Sequence, residues 1–147
     1  MICVDASTAV KWLLPEEELA DHALALLRDV SRARTPIVAP ALLPIEVTNT
    51  VRQRLRRAQL TLEDAERLLD RFLGLPITYA TAGALCRQAL RLAHIYRLPA
   101  AYDAQYVALA QPVGCSMWTD DRRLLHAVHD ALPFVRWIGD YGPDAEA

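Results

Sequence analysis

The sequence predicts an α/β fold in which a mostly parallel central sheet of about five strands is flanked on both sides by helices. Three observations carry this reading. Short β-rich segments alternate with longer stretches of helical periodicity. No internal repeat, low-complexity tract or linker interrupts that alternation. Two of the short segments, at opposite ends of the chain, finish on carboxylates: Ile2-Cys3-Val4-Asp5 and Ser116-Met117-Trp118-Thr119-Asp120-Asp121.

The strand candidates are residues 1–5, 36–39, 76–79, 113–118 and 134–138. Helices fill the intervals. Residues 16–32 place Leu19, Ala23, Leu26, Leu27 and Val30 on one face, and residues 41–58 carry Leu43, Val47, Val51 and Leu55 at four-residue spacing. Thr61-Leu62-Glu63-Asp64 has the form of a capped start for a helix with Leu62, Ala65, Leu68, Leu69 and Phe72 on one side. Residues 81–97 and 100–111 form two further helices separated by Pro99, and residues 121–130 a last one. With a further short helix beginning near Ser7, the order is β-α-α-β-α-α-β-α-α-β-α-β.

A chain of 147 residues fits one domain with a hydrophobic core of its own. Residues 1–141 are assigned to that domain and 142–147 to a short C-terminal tail. No apolar run approaches the ~18 residues of a membrane span, and the chain enters a strand directly, without the pattern of a secretory signal. Cys3, Cys86 and Cys115 are odd in number and widely spaced, which fits a reducing cytoplasm better than a disulfide framework or thiolate zinc site. The net charge of −2 gives no global signature of nucleic-acid binding. Lys11 is the sole lysine among many arginines, a bias that composition alone explains as well as function does.

In an open parallel sheet, ligands bind beyond the carboxyl ends of the strands where the winding reverses. If the first and fourth strands are neighbours, Asp5 and Asp121 meet there. Glu46, in Pro44-Ile45-Glu46-Val47, and Asp103, in a segment from Ala100 to Ala110 with no other charge, are two further acids in apolar company. Each has an ordinary reading of its own: Asp5, Asp120 and Asp121 as helix caps, Asp103 as a first-turn acid, Glu46 as a solvated residue. One metal site accounts for all of them together. Two carboxylates 4 Å apart repel by about 4 kcal/mol at an effective dielectric of 20. A divalent cation relieves that repulsion, and oxygen-only ligands favour Mg²⁺, with Mn²⁺ as the alternative. Ser7 and Thr119 are placed to orient the acids or a bound water, although both also read as helix caps.

Taken together, Val4-Asp5-Ala6-Ser7, Pro44-Ile45-Glu46-Val47-Thr48-Asn49, Tyr102 to Ala110 and Thr119-Asp120-Asp121-Arg122-Arg123-Leu124 resemble the motifs of PIN-domain ribonucleases, specifically the VapC toxins of type II toxin–antitoxin systems. The resemblance spans nearly the whole chain and implies a PIN-like three-layer sandwich. It also implies a cytoplasmic, Mg²⁺-dependent endoribonuclease with catalytic and metal-binding acids Asp5, Glu46, Asp103 and Asp121. Ser7, Asn49, Thr119 and Asp120 would be polar support. Asp121 is chosen over Asp120 because it keeps the Thr-x-Asp spacing. Arg122, Arg123 and Lys11 are the RNA-binding candidates, whereas the run Arg52, Arg54, Arg56 and Arg57 better suits a helix C-terminus and solvent. The implied partners are RNA, a VapB-like antitoxin and a second copy of the chain, with no membrane. Trp12, Leu13 and Leu14 either line an antitoxin groove or belong to the core.

Other classes fit less well. A haloacid-dehalogenase phosphatase needs a second aspartate where Ser7 stands, a receiver domain needs an acid after strand 76–79, and a dinucleotide-binding module needs a Gly-rich turn after the first strand. The remaining alternatives are a non-catalytic PIN-like RNA-binding or assembly module and a solitary RNA-processing nuclease.

Overall fold

The computed structural model describes residues 1–142. Its strands are β1 (Ile2–Val4), β2 (Ile37–Pro40), β3 (Ile77–Ala80), β4 (Ser116–Thr119) and β5 (Val135–Trp137). The helices are α1 (Ala6–Ala9), α2 (Ala20–Arg32), α3 (Leu43–Arg56), α4 (Leu62–Leu73), α5 (Ala82–Ile95), α6 (Tyr102–Val113) and α7 (Arg122–Val128), with 3₁₀ turns at Val10–Trp12 and Ile138–Asp140. Of the tail expected over 142–147, only Gly142 falls among the described residues.

All strand pairs are parallel, in the order β3-β2-β1-β4-β5. The chain winds from β1 out to β3, then returns past β1 to build β4 and β5. Crossovers of one hand wound in both directions cover both faces of such a sheet. The reversal lies between β1 and β4, whose register pairs Val4 with Trp118 and so brings Asp5 beside the end of β4. The α/β class and the adjacency of the two acidic strand ends are both realised.

Local chemistry explains most element boundaries. Thr61 caps α4 by accepting from the Asp64 amide at 3.1 Å, as its capping pattern predicts. The Leu43-Val47-Val51 stripe of α3 is buried, and α6 packs across β1, β2 and β4 with Tyr106, Val107 and Ala110 inside. The helix expected over 16–32 begins only at Ala20. Leu19 sits in the left-handed region at φ 61°, which stops helical propagation, and residues 16–18 before it form turns and a bend. Trp12, Leu13 and Leu14 are core residues: all three are buried, and the Trp12 indole N–H donates to the Ala23 carbonyl at 2.9 Å. No helix is long and apolar enough to cross a membrane among the described residues.

Strand β4 starts at Ser116, later than the expected 113, because α6 continues through Pro112 to Val113. Proline in a last helical turn lacks only one amide bond, and Gly114 then ends the helix at φ 71°. A methyl group at Gly114 would meet nothing within 4 Å, so only backbone strain opposes it. Gly114→Ala should therefore lower stability by about 1–2 kcal/mol in urea unfolding, with an unchanged m value. A neutral result would show that the left-handed turn is not held in solution.

Candidate active site

The site grows from the four-residue turn after β1. Asp5 is buried and is the N-cap of α1, its Oδ1 accepting from the Thr8 amide at 3.0 Å and from the Ser7 hydroxyl at 2.6 Å. Its Oδ2 accepts from the Thr119 hydroxyl across the sheet. Both hydroxyl oxygens are used twice: Ser7 Oγ accepts from the Asp120 amide at 2.8 Å, and Thr119 Oγ1 from the Asp121 amide at 2.9 Å. The Thr8 hydroxyl and the Asp5 amide both donate to the Trp118 carbonyl, at 3.1 and 3.3 Å. Thus the cap of α1 also fastens the end of β1 to the end of β4.

Asp5, Glu46, Asp103 and Asp121 line one cavity of about 270 Å³, together with Ala6, Ser7, Val10, Thr50 and Tyr106. Four elements of the fold deliver the four acids, and no lysine, arginine or histidine lines the cavity. Burial pushes Asp5 up from its ordinary 3.8 to about 6, although the Ser7, Thr119 and Thr8 donors oppose the shift; the neighbouring Asp103 charge adds to it. Glu46 is also raised by burial, and further by Asp103, while the Tyr106 hydroxyl lowers it by donating to Oε2. Asp103 is raised by burial and then by Asp121. Asp103 is therefore the acid that feels or perturbs the other three. No three of these groups converge as a ready-made ligand cluster among the described residues. Asp121 Oδ1 is engaged with the Arg123 and Leu124 amides at 2.8 and 3.1 Å.

The PIN domain family model matches residues 2–129. Ribonuclease VapC9 of Mycobacterium tuberculosis and VapC ribonuclease Mb0985 of Mycobacterium bovis are each 34% identical over 125 residues, covering 84% of this chain and 88% of theirs. The chain belongs to the VapC family of PIN-domain ribonucleases.

Within this PIN domain, the two adjacent aspartates divide. Asp121 lines the acidic cavity and caps α7. Asp120 turns away, pairing with Lys11 Nζ at 2.9 Å and accepting from the Trp137 indole N–H at 3.0 Å. Lys11 corrects an expectation. Its side chain is only 5% exposed, and its ammonium also donates to the Glu18 carbonyl at 2.6 Å, so it has no surface to offer RNA. Asn49 is likewise misplaced as polar support, being exposed on α3 and outside the cavity lining. Thr50 occupies the lining position instead, with Tyr106 opposite.

The signals for these were present in the sequence. On a helix, Asn49 lies roughly 200° around from Val47, opposite the buried stripe, while Glu46 and Thr50 lie together on its flank. Tyr106 follows Asp103 by three residues and so shares its face. Arg122 and Arg123 are exposed, the former with its guanidinium 3.7 Å over the Trp137 ring. Arg54 pairs with Glu17, and Arg56 donates to Gln53 at 3.2 Å, in keeping with a locally satisfied helix end. His22, His94, His126 and His129 all lie outside the acidic cavity.

Two outcomes follow. An Asp raised from 3.8 to about 6 in the folded state favours folding fully below pH 3.8 and loses that contribution as pH rises through 6. At neutral pH its ionised form costs about 3 kcal/mol. In chelator at pH 7, Asp5→Asn should melt no lower than the parent, and any advantage should shrink from pH 6 to pH 4. A clear fall in Tm at pH 7 would mean that the capping bonds outweigh the buried charge. Lys11→Met should destabilise by about 3 kcal/mol, because Asp120 loses its cation. A stable Lys11→Met protein with weakened RNA binding would reverse the assignment of Lys11 to the interior.

Proposed function

We propose that this chain is a Mg²⁺-dependent endoribonuclease that hydrolyses RNA phosphodiesters at the β1–β4 switch point, as the toxin of a VapBC pair. The observation that carries the reading is the convergence of Asp5, Glu46, Asp103 and Asp121 on one cavity with no basic side chain in its lining. Burial and mutual repulsion raise three of the four acids, so the cavity favours whatever brings positive charge into it. The donor set fits a hard divalent ion, since it consists of carboxylates with hydroxyls beside them and no thiolate or imidazole. Such an ion, when bound, makes a water more acidic and offsets charge on phosphoryl oxygens.

The chain's own residues do the rest. Ser7, Thr8 and Thr119 fix both oxygens of Asp5, and Tyr106 fixes Oε2 of Glu46, so these carboxylates are oriented before any ligand arrives. Asp121 has one oxygen in the α7 cap and the other available to the cavity. The cavity lining contains no cysteine, histidine or lysine, and its Ser7, Thr50 and Tyr106 hydroxyls already donate to Asp5, the Glu46 carbonyl and the Glu46 carboxylate. A water is therefore the fitting nucleophile. A reducing cytoplasm, a VapB-like antitoxin and a homodimer complete the proposal. The antitoxin belongs to it through the family's toxin–antitoxin character, and the compartment through the unpaired state of Cys3, Cys86 and Cys115.

The test is cleavage of a mixed RNA pool by the purified chain. Cleavage should require Mg²⁺ or Mn²⁺, stop in EDTA, and fall by on the order of a hundredfold or more in Asp103→Asn. Undiminished cleavage by Asp103→Asn or in EDTA would overturn the assignment. A folded parent that cuts no RNA in Mg²⁺ would leave a non-catalytic RNA-binding module.

A further inference from the structure

A second, larger cleft of about 710 Å³ opens beside the acidic one, between α7, β5 and the turn that follows β5. Two exposed arginines line it, with their guanidiniums over rings on opposite faces of the sheet. Arg122 lies 3.7 Å over the Trp137 ring, and Arg136 lies 5.0 Å over Trp118. Neither forms an ion pair with a carboxylate among the described residues. Leu125, Pro133 and Val135 supply an apolar wall, and Asp140 is the one acid in the lining. The cleft is thus cationic and apolar at once, where its neighbour is wholly acidic.

The Trp137 ring is fixed from several sides. Its indole N–H donates to Asp120, which Lys11 neutralises. Gly139 packs so tightly against it that an added Cβ would come within 2.4 Å of ring atoms. Arg122 lies over the ring, so its guanidinium plane is held in place by stacking. A guanidinium plane and an apolar wall are what an unpaired nucleobase packs against, while guanidinium edges bind phosphate. Arg122 directly follows Asp121 in the chain. The acidic cavity and this cleft therefore adjoin at the start of α7, where Asp121 lines the one and Arg122 the other.

We propose that this cleft holds an unpaired nucleotide of the RNA substrate adjacent to the scissile phosphate, its base on the outer plane of Arg122 and its phosphate against the edge of the same guanidinium. The proposal rests on the ribonuclease reading and extends it from the reacting centre to the recognition of single-stranded RNA.

Binding of a short fluorescein-labelled RNA single strand to the Asp103→Asn chain in Mg²⁺ tests it, because binding is then read without cleavage. Arg122→Ala should weaken binding by about tenfold or more. It should also flatten the dependence of log Kd on log salt by roughly 0.7 per lost phosphate contact. Arg91→Ala, on α5 and outside the cleft lining, should bind as the parent does. Arg122→Lys should restore the salt dependence without the affinity, since an ammonium keeps the charge and loses the plane; full recovery of affinity would overturn base stacking. Unchanged binding by Arg122→Ala, alongside intact Mg²⁺-dependent cleavage by the parent, would overturn the cleft and spare the ribonuclease. A parent that neither binds nor cuts RNA would overturn both.

Discussion

The buried carboxylate of Asp5 is the constraint on which the rest of this structure turns. Three donors from two parts of the chain converge on it: the Thr8 amide, the Ser7 hydroxyl and the Thr119 hydroxyl. The two hydroxyl oxygens then accept from the amides of Asp120 and Asp121, so the geometry of β1's end is transmitted directly to β4's end. Every polar group in this small network serves both the backbone and the site. The network nevertheless leaves the charge disfavoured, since burial holds Asp5 at about 6 even with three donors. Hydrogen bonds orient the carboxylate; they do not replace a counter-charge.

That tension explains the surroundings. Beyond β4, consecutive residues leave the strand in different directions, so Asp120 and Asp121 serve different neighbours. Asp120 has a cation in Lys11 and is structural; Asp121 enters the acidic cavity and caps α7. A buried pair such as Lys11–Asp120 is weak evidence for net stability, but it fixes how the 3₁₀ turn after α1 sits against β4. Its Trp137 contact joins this interior pair to the cationic cleft on the other side. The acidic cavity is reached from this group through the Asp120 backbone amide, which donates to the Ser7 hydroxyl oxygen.

Much of the fold was legible in the sequence because periodicity and capping are local. The alternation of elements, the Thr61 cap and the Leu43-Val47-Val51 stripe all act within a few residues of themselves. Boundaries failed where a single backbone angle decides, as at Leu19 and Gly114. That the four acids line one cavity could be anticipated for a different reason: carboxylates in apolar segments are costly unless paired, neutralised or set at the rim of a cleft. Asn49, expected as polar support, lies outside the cavity because the buried stripe of α3 turns it to solvent.

By itself, then, the sequence determined the α/β class, the acidic strand ends and the family, because each is written in residue type and short-range spacing. The tertiary structure alone decided which aspartate of the pair faces the cavity, that the sole lysine is interior, and that Arg122 stacks on Trp137. Those outcomes depend on residues brought together from distant parts of the chain. Only packing fixes the direction in which each side chain leaves its backbone, and so which of two neighbours meets which partner.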